Sequence, residues 1–298
     1  MTGLSRNQKK IKKWIKQWFF KLPLSEKHFI EILYFYYLRR LLKLNPPRTF
    51  NEKIQWLKLY GCNEQYTALA DKYAVREYVR KKIGGQYLNE LFGVYDDESE
   101  IDFDVLPQKF VLKANHGCGW NIFCRDKNKL DINAAKSQLG QWLRMNYFKP
   151  GRDPIYKNIP PKIVCECLLE DENRNDLVDY KFYCFHGHVQ FVYVITRSIH
   201  IPTTANMFDK DWVLIPLISV YPNNPIPLER PEDFERMNKV AEVLANGIPL
   251  VRVDLYYVNS RIIFGELTFS DGDGYGIISP VEWDYKLGEY LHLPVAHV

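Results

Sequence analysis

Three polar residues interrupt an apolar run near the C-terminus, LVRVDLYYVNSRIIFGELTFSDGDGYG at residues 250–276: Asp254, Glu266 and Thr268, with Arg252 just ahead of the first. Residues 251–258 and 262–269 are rich in β-branched and aromatic side chains. Asn259-Ser260 between them is turn chemistry, so the stretch reads as a hairpin. A carboxylate in such company needs a partner, because an unpaired buried charge is costly. Side chains alternate along a strand, so Arg252 and Asp254 share a face, as do Glu266 and Thr268. A three-residue loop, Asn259-Ser260-Arg261, pairs Val258 with Ile262 and sets Asp254 opposite Glu266 and Arg252 opposite Thr268. A two-residue loop puts the carboxylates on opposite faces unless a bulge at Gly265 restores the parity. Adjacent carboxylates repel unless a cation lies between them, and an all-oxygen set favours a hard ion such as magnesium. The competing reading is a structural Arg252–Asp254 pair beside an exposed Glu266.

Other charges stand out in the same way. Residues 109–113, KFVLK, read as a strand ending in Lys113, followed by Ala114-Asn115-His116-Gly117-Cys118-Gly119-Trp120. Backbone N–H groups in a glycine-containing loop can point at oxyanions, and Lys113 adds charge. A plain hairpin turn is the alternative. The GK[ST] ending of a Walker A loop is absent, and the loop is no dinucleotide fingerprint. Lys181 interrupts a β-rich run, where snorkelling from an edge would also explain it. His116 is a candidate base by location, although a loop histidine also serves as a hydrogen-bond donor. Four cations (Lys72, Lys113, Lys181, Arg252) with two carboxylates suit a nucleoside triphosphate and magnesium.

The elements that must position these groups are mixed. Residues 8–20, QKKIKKWIKQWFF, repeat apolar side chains at helical spacing with lysines around them. Such a basic, Trp-bearing helix suits an anionic membrane surface, or else docks on protein. A second helix is expected over 25–44, ended by Pro46-Pro47. A third opens at Thr49 with Glu52 three residues on, a capping-box pattern. Further helices are expected at 71–82, stopped by Gly84-Gly85, at 131–147 with Asp131 as N-cap, and at 231–245. Strands are expected at 88–95, 109–113, 121–124 and within 160–169, where Glu166 interrupts IVCECLLE. A strand pair over 179–195 turns at His186-Gly187-His188. Residues 200–235, with six prolines from Pro202 to Pro231, read as loop.

A chain of 298 residues with 46% hydrophobic and 26% charged content is globular and large enough for a sizeable core. The net charge of +4 hides a split: residues 1–53 carry 13 Lys and Arg against 3 acidic residues, and the remainder carries 27 against 33. That argues against nucleic acid as partner of the body and for an anionic partner at the N-terminus. The six cysteines show no CxxC or zinc spacing and read as free thiols of a reducing compartment. No apolar run approaches a membrane span, and no signal-peptide pattern opens the chain. A cytoplasmic protein, possible at the inner face of the membrane through residues 8–20, is expected.

From residue 46 onward the sequence resembles the TupA-like (teichuronopeptide biosynthesis) group of the ATP-grasp superfamily. The segments that carry the resemblance are PRTFNEKIQWLKLY, ADKYAVREYV, VLKANHGCGWN, VDYKFYCFHG, RVDLYYV and GELTFSDGDG, in that order. The resemblance implies an α+β fold in which two α+β subdomains clamp ATP, with an N-terminal helical and α/β region. The divisions expected are 1–48, 49–105, 106–168 and 169–298. It implies that Lys72 and Lys113 hold the α- and β-phosphates, and that the loop with His116, Gly117, Cys118 and Gly119 closes over them. Glu166, with the backbone of Cys167 and Leu168, would read the adenine edge. Lys181 would reach the terminal phosphates. Asp254, Glu266 and Thr268 would bind Mg2+, and Arg252 would stabilise the transferring phosphoryl group. The wider superfamily usually has Asn where Thr268 stands. A hydroxyl is the weaker ligand, which implies a more loosely held second metal.

The activity so implied is ATP-dependent ligation of a carboxylate to an amine through an acyl phosphate. The group's link to bacterial surface polysaccharides implies a uronic acid on a sugar nucleotide or lipid-linked glycan as carboxylate, and an amine or amino acid as its partner. The alternatives are a glycosyltransferase of capsule or O-antigen synthesis, for which Asp271-Gly272-Asp273 would be the DxD pair, a sugar kinase using the same ATP site, and a non-catalytic ATP-binding scaffold.

Overall fold

The computed structural model describes residues 23–61, 63–171, 177–197 and 202–294. The helix expected over 8–20 lies outside them. Helix α1 (Glu26–Leu38) starts at Ser25, whose hydroxyl accepts from the His28 N–H, and stops where Arg39 enters the left-handed region. That cap closes the helix before the prolines are reached, so the expected end at residue 44 is too late. Helix α2 (Phe50–Tyr60) carries both halves of the Thr49–Glu52 capping box. After α3 (Gln65–Ala70), Asp71 accepts from the Tyr73 and Ala74 N–H groups at 2.8 and 3.2 Å. It therefore starts a turn instead of joining a helix, and α4 (Val75–Ile83) begins later than residue 71.

Four strands then form one antiparallel sheet: β1 (Leu91–Tyr95), β2 (Phe110–Ala114), β3 (Asn121–Cys124) and β4 (Ile163–Cys167), in the order β1-β4-β2-β3. The sheet takes β1 from ahead of the expected boundary at residue 106. Between β3 and β4 lie α5 (Ile132–Leu143), capped by Asp131 as expected but ending at 143, and α6 (Phe148–Gly151). Phe110, Leu112, Ile163 and Leu139 pack the sheet against α5.

The second sheet is antiparallel, six-stranded and ordered β10-β9-β5-β6-β7-β8. It comprises β5 (Leu177–Phe185), β6 (His188–Arg197), β7 (Thr204–Asp209), β8 (Leu214–Ile215), β9 (Leu250–Val258) and β10 (Arg261–Thr268). Helix α7 (Phe234–Ala245) precedes β9, and α8 (Glu282–Glu289) follows β10. Strands β7 and β8 fall in the stretch read as loop. The buried Ala205, Met207 and Phe208 give β7 its apolar content, which proline counting obscured. Phe234, Met237, Ala241 and Leu244 form the apolar stripe of α7 and meet Phe182, Val251, Val253, Leu255 and Leu267 on one face of the sheet. The opposite face carries Lys181, Arg252, Asp254 and Glu266. Near its end, α2 packs Phe50 and Ile54 on Tyr183, Phe185 and Leu250.

The hairpin register follows the second of the two expected routes. Val258 pairs with Arg261 across a two-residue turn, in which Asn259 and Ser260 both have positive φ. Phe264 pairs with Leu255, and the register then slips so that Glu266 pairs with Asp254 and Thr268 with Arg252. The expected three-residue loop is therefore absent, and the bulge at Gly265 supplies the missing residue. A side chain there would crowd Asp254 O and the Tyr256 ring at 3.1 Å each. The five cysteines described are free. Among the described residues, no helix is long and apolar enough to cross a membrane.

Candidate functional site

Adjacent strands bring charges from distant segments into rows. Asp254 stands between Lys181 on β5 and Glu266 on β10. In the next row Arg252 stands between Tyr183 and Thr268. Lys181 Nζ contacts Asp254 Oδ2. Arg252 donates from Nε and Nη2 to Asp254 Oδ1 and Oδ2 at 2.7 and 2.8 Å, a bidentate pair. Its Nη2 also lies 3.1 Å from Thr268 Oγ1 and 3.4 Å from Glu266 Oε1. Its Nη1 contacts Asp271, whose other oxygen accepts from Tyr183 OH at 2.8 Å. The Arg252–Asp254 pair anticipated as a competing reading is present. Glu266, though, is half-buried and belongs to the same network.

From the other side comes the corner between α3 and α4. Lys72 Nζ reaches Glu266 Oε2 at 3.6 Å and donates to Gly117 O at 2.5 Å. Burial would raise the Glu266 pKa, but Lys72, Lys181 and Arg252 outweigh it and hold the carboxyl down to about 2. Cys118, exposed at the tip of the glycine loop, sits in the field of the same four side chains. The glycine loop thus lies over the charged face of the six-stranded sheet.

The loop is itself braced. Asn115 Nδ2 donates to Asp71 Oδ1 and Pro160 O at 2.9 Å each, and its main-chain carbonyl accepts from the Lys72 N–H at 3.2 Å. His116 is 2% exposed. Its ring nitrogens face Asn115 Oδ1 at 3.0 Å and the Trp142 and Met145 carbonyls at 3.1 and 3.2 Å, and burial lowers its pKa. A histidine engaged on both sides is a brace, so the base anticipated there is not in position to accept a proton. Trp120 stacks parallel to Trp142 at 6.2 Å and meets Tyr147 edge-on at 5.3 Å.

Lys113 and Glu166 belong to a second cluster. Glu166 is buried on β4 and accepts from Arg76 of α4 at 2.6 Å and from Lys113 of β2 at 2.7 Å. Arg76 also donates to Asn89 O at 2.7 Å. Glu166 is thus an ion-pair centre. The Cys167 N–H donates to Glu90 O at 3.0 Å, and its carbonyl accepts from Asn89 Nδ2 at 2.8 Å, so that residue's main chain is already engaged. Leu168 follows β4 directly.

Several participants escaped the sequence reading. Asp71, Arg76, Asn115 and Tyr183 lie inside the segments that carry the resemblance, but no role of their own was assigned to them. Asn51, Gln55 and Lys58 had a legible signal: spacings of four and three put them on one face of α2, among Phe50 and Ile54. Gln55 Nε2 and Lys58 Nζ donate to Asp273 O at 2.7 and 3.1 Å, and Asn51 Nδ2 to Asp284 at 3.1 Å. The first two bonds hold the turn that carries Asp271. Asp271 and Asp273 are not a free DxD pair: the first is held by Arg252 and Tyr183, and the second is packed against Gly151.

The donor set can be tested against magnesium. Asp254, Glu266 and Thr268 offer two carboxylates and a hydroxyl, all hard oxygens. Among the described residues, no group of three or more His, Cys, Asp and Glu could hold a metal alone. Magnesium keeps waters and is commonly held by one or two carboxylates together with substrate phosphates. The set fits an ion that arrives with phosphate oxygens.

A family model described as TupA-like ATP-grasp matches residues 52–292. Among solved structures, D-alanine–D-alanine ligase from Bacillus anthracis complexed with ATP is similar at 15% identity and a TM-score of 0.43, over 68% of this chain and 55% of that one. The ATP-grasp ligase PsnB, with a phosphomimetic variant of its minimal precursor, Mg and ADP, is similar at 12% and 0.41, over 91% and 67%. N5-carboxyaminoimidazole synthase from Aspergillus clavatus is similar at 11% and 0.39, over 69% and 45%. The chain spans about half the length of the first of these, 55%. No curated protein matches. The family match runs from α2 past α8 and takes in both sheets and every charged group described above: the chain belongs to the TupA-like ATP-grasp family.

Proposed function

We propose that the chain is an ATP- and magnesium-dependent ligase joining a carboxylate to an amine, and that the carboxylate is a uronic acid of a bacterial surface polysaccharide or its precursor. The observation that carries this is the Lys181–Asp254–Glu266 row, facing Lys72 and the glycine loop. Two cations and two hard-oxygen carboxylates on one sheet face, with Lys72 opposite them, suit a triphosphate with its metal. In this reading Lys72 and Lys113 hold the inner phosphates and Lys181 the terminal one. Asp254, Glu266 and Thr268 hold Mg2+, which when bound screens the phosphate oxygens from one another.

A substrate carboxylate oxygen attacks the γ-phosphorus, the bond to ADP breaks, and an acyl phosphate forms. An amine nitrogen then attacks the acyl carbon. The C–O bond to phosphate breaks, and the nitrogen loses a proton, leaving an amide and inorganic phosphate. Arg252, fixed by Asp254 and Asp271, is preorganised to offset charge on the phosphoryl group in transfer, which costs no reorganisation during reaction. Trp120, Trp142 and Tyr147 over the loop would exclude water that competes with the amine. The basic segment 8–20 would hold the enzyme at the anionic membrane face where such glycans are assembled.

The test is ADP release from magnesium-ATP across uronate acceptors and amines, with identification of the product. Release that needs both co-substrates and yields an amide supports the reading. A phosphorylated sugar formed without amine, or thermal stabilisation by a UDP-sugar but not by an ATP analogue, overturns it.

A further inference from the structure

A cavity of about 270 Å3 opens beyond the end of β10. Its apolar wall includes Ile155 and the pair Tyr66 and Phe269, whose rings stack with centroids 4.7 Å apart. Its polar wall includes Asp153, Ser270 and Lys58. Asp153 is 1% exposed. One carboxyl oxygen, Oδ1, accepts from the Ile155 N–H at 3.1 Å, while Oδ2 has no hydrogen bond among the described residues. The Ser270 hydroxyl acts on the same carboxyl group. Lys58 is buried nearby, yet its ammonium donates to the Gly151 and Asp273 carbonyls at 2.6 and 3.1 Å, not to Asp153. A buried carboxylate oxygen without a bonded partner, on a residue that lines a cavity, is costly unless a donor is brought to it. Burial accordingly pushes the Asp153 carboxyl up, against the pull of Lys58.

The cavity adjoins the charged cluster. Phe269 and Ser270 directly follow Thr268, and the next residue, Asp271, holds Arg252. The Tyr156 phenol lies in the field of Asp153, Glu266 and Cys118 together, so cavity wall, hairpin and glycine loop meet around one ring.

We propose that this cavity binds the amine co-substrate as a protonated primary amine, with Asp153 Oδ2 accepting its N–H bonds and the Tyr66–Phe269 wall covering its carbon skeleton. The inference rests on the ligase reading and specifies its second substrate. The volume is small beside common ligand pockets, which restricts the occupant to a small amine with an apolar body. A neutral isostere leaves the carboxylate oxygen unpaired and is rejected.

Calorimetric titration of the full chain with n-butylamine and with n-butanol tests this directly. The amine should bind and the alcohol should bind at least about tenfold more weakly, the scale of one charge-assisted hydrogen bond. Asp153→Asn keeps the oxygen that caps Ile155 and should cost the amine about tenfold or more, while ADP binding is retained. Tyr66→Ala should weaken n-butylamine more than methylamine, which tests the wall independently of the charge. Equal binding of amine and alcohol, or unaltered amine affinity in Asp153→Asn, overturns the assignment. If the amine binds as expected but no acceptor carboxylate elicits ADP release, the ligase reading has failed and the amine site stands.

Discussion

Glu166 on the four-stranded sheet and Asp254 on the six-stranded sheet are both buried carboxylates held by two cations. Their surroundings differ. Among the described residues, Glu166 has Arg76 and Lys113 and no second acid in contact, which leaves one cation in excess. Asp254 belongs to a group with Lys72, Lys181 and Arg252 against Glu266 and Asp271, equal in charge. The first cluster can attract a phosphate unaided. The second is already neutral, and its carboxylates accept a triphosphate without repulsion only if a metal comes with it.

Breaking the second cluster should have the largest effect. Asp254→Asn leaves Lys181 and Arg252 facing an amide. ADP-forming turnover should fall by about 100-fold or more, the scale of losing a preorganised electrostatic group. Circular dichroism should show the fold retained. Deleting Gly265 should act as strongly by another route, since it turns Glu266 and Thr268 toward the apolar face that meets α7. Retained turnover in that deletion would show that the shared face is not required. Arg76→Ala removes one of the two cations on Glu166 but leaves Lys113, and should lower stability by about 2 kcal/mol in urea, the range for a lost charge-assisted hydrogen bond. Its effect on turnover should be much smaller than that of Asp254→Asn; equal losses would erase the distinction between the clusters.

The acids also differ in pH response. The Glu266 carboxyl is held to about 2, below its ordinary value. Its ionisation stabilises the fold above the ordinary carboxylate range, and this is lost as pH falls through 2. Glu266→Gln should therefore be less stable than the parent at pH 7 and equal to it near pH 2. The Asp153 carboxyl is raised, so the stability linked to it is present at low pH and is lost as pH rises. Asp153→Asn should be more stable than the parent at pH 7, the gain vanishing below about pH 4. Thermal melts across that range test both signs. The smallest effect is expected at the exposed Lys109–Glu170 pair, 2.6 Å apart, where Lys109→Ala should cost less than about 1 kcal/mol.

How much was legible depends on range. The capping box at Thr49–Glu52, the Asp131 cap and the strands around Lys113 and Glu166 were readable, because caps and alternation use neighbours in sequence. Strands β7 and β8 were not, because their place is decided by pairing with β6 and each other. His116 stayed open between base and hydrogen-bond donor in the sequence, and the Trp142 and Met145 carbonyls, which come from another helix end, cover it. Arg76, Asp71 and Tyr183 were assigned no role, since their bonds to Glu166, Asn115 and Asp271 reach across dozens of positions.

The hairpin shows where the division falls. Strand alternation has a period of two, so sequence alone determined that Arg252 and Asp254 share a face, that Glu266 and Thr268 share one, and that parity depended on the turn or on Gly265. Folding chose the bulge. It also set Lys181 opposite Asp254 across a separation of 73 residues and brought Lys72 and the glycine loop over the same face. Those pairings follow from burying one face of the sheet under α7, which fixes the register of every strand that shares the core and leaves the charged residues together on the other side.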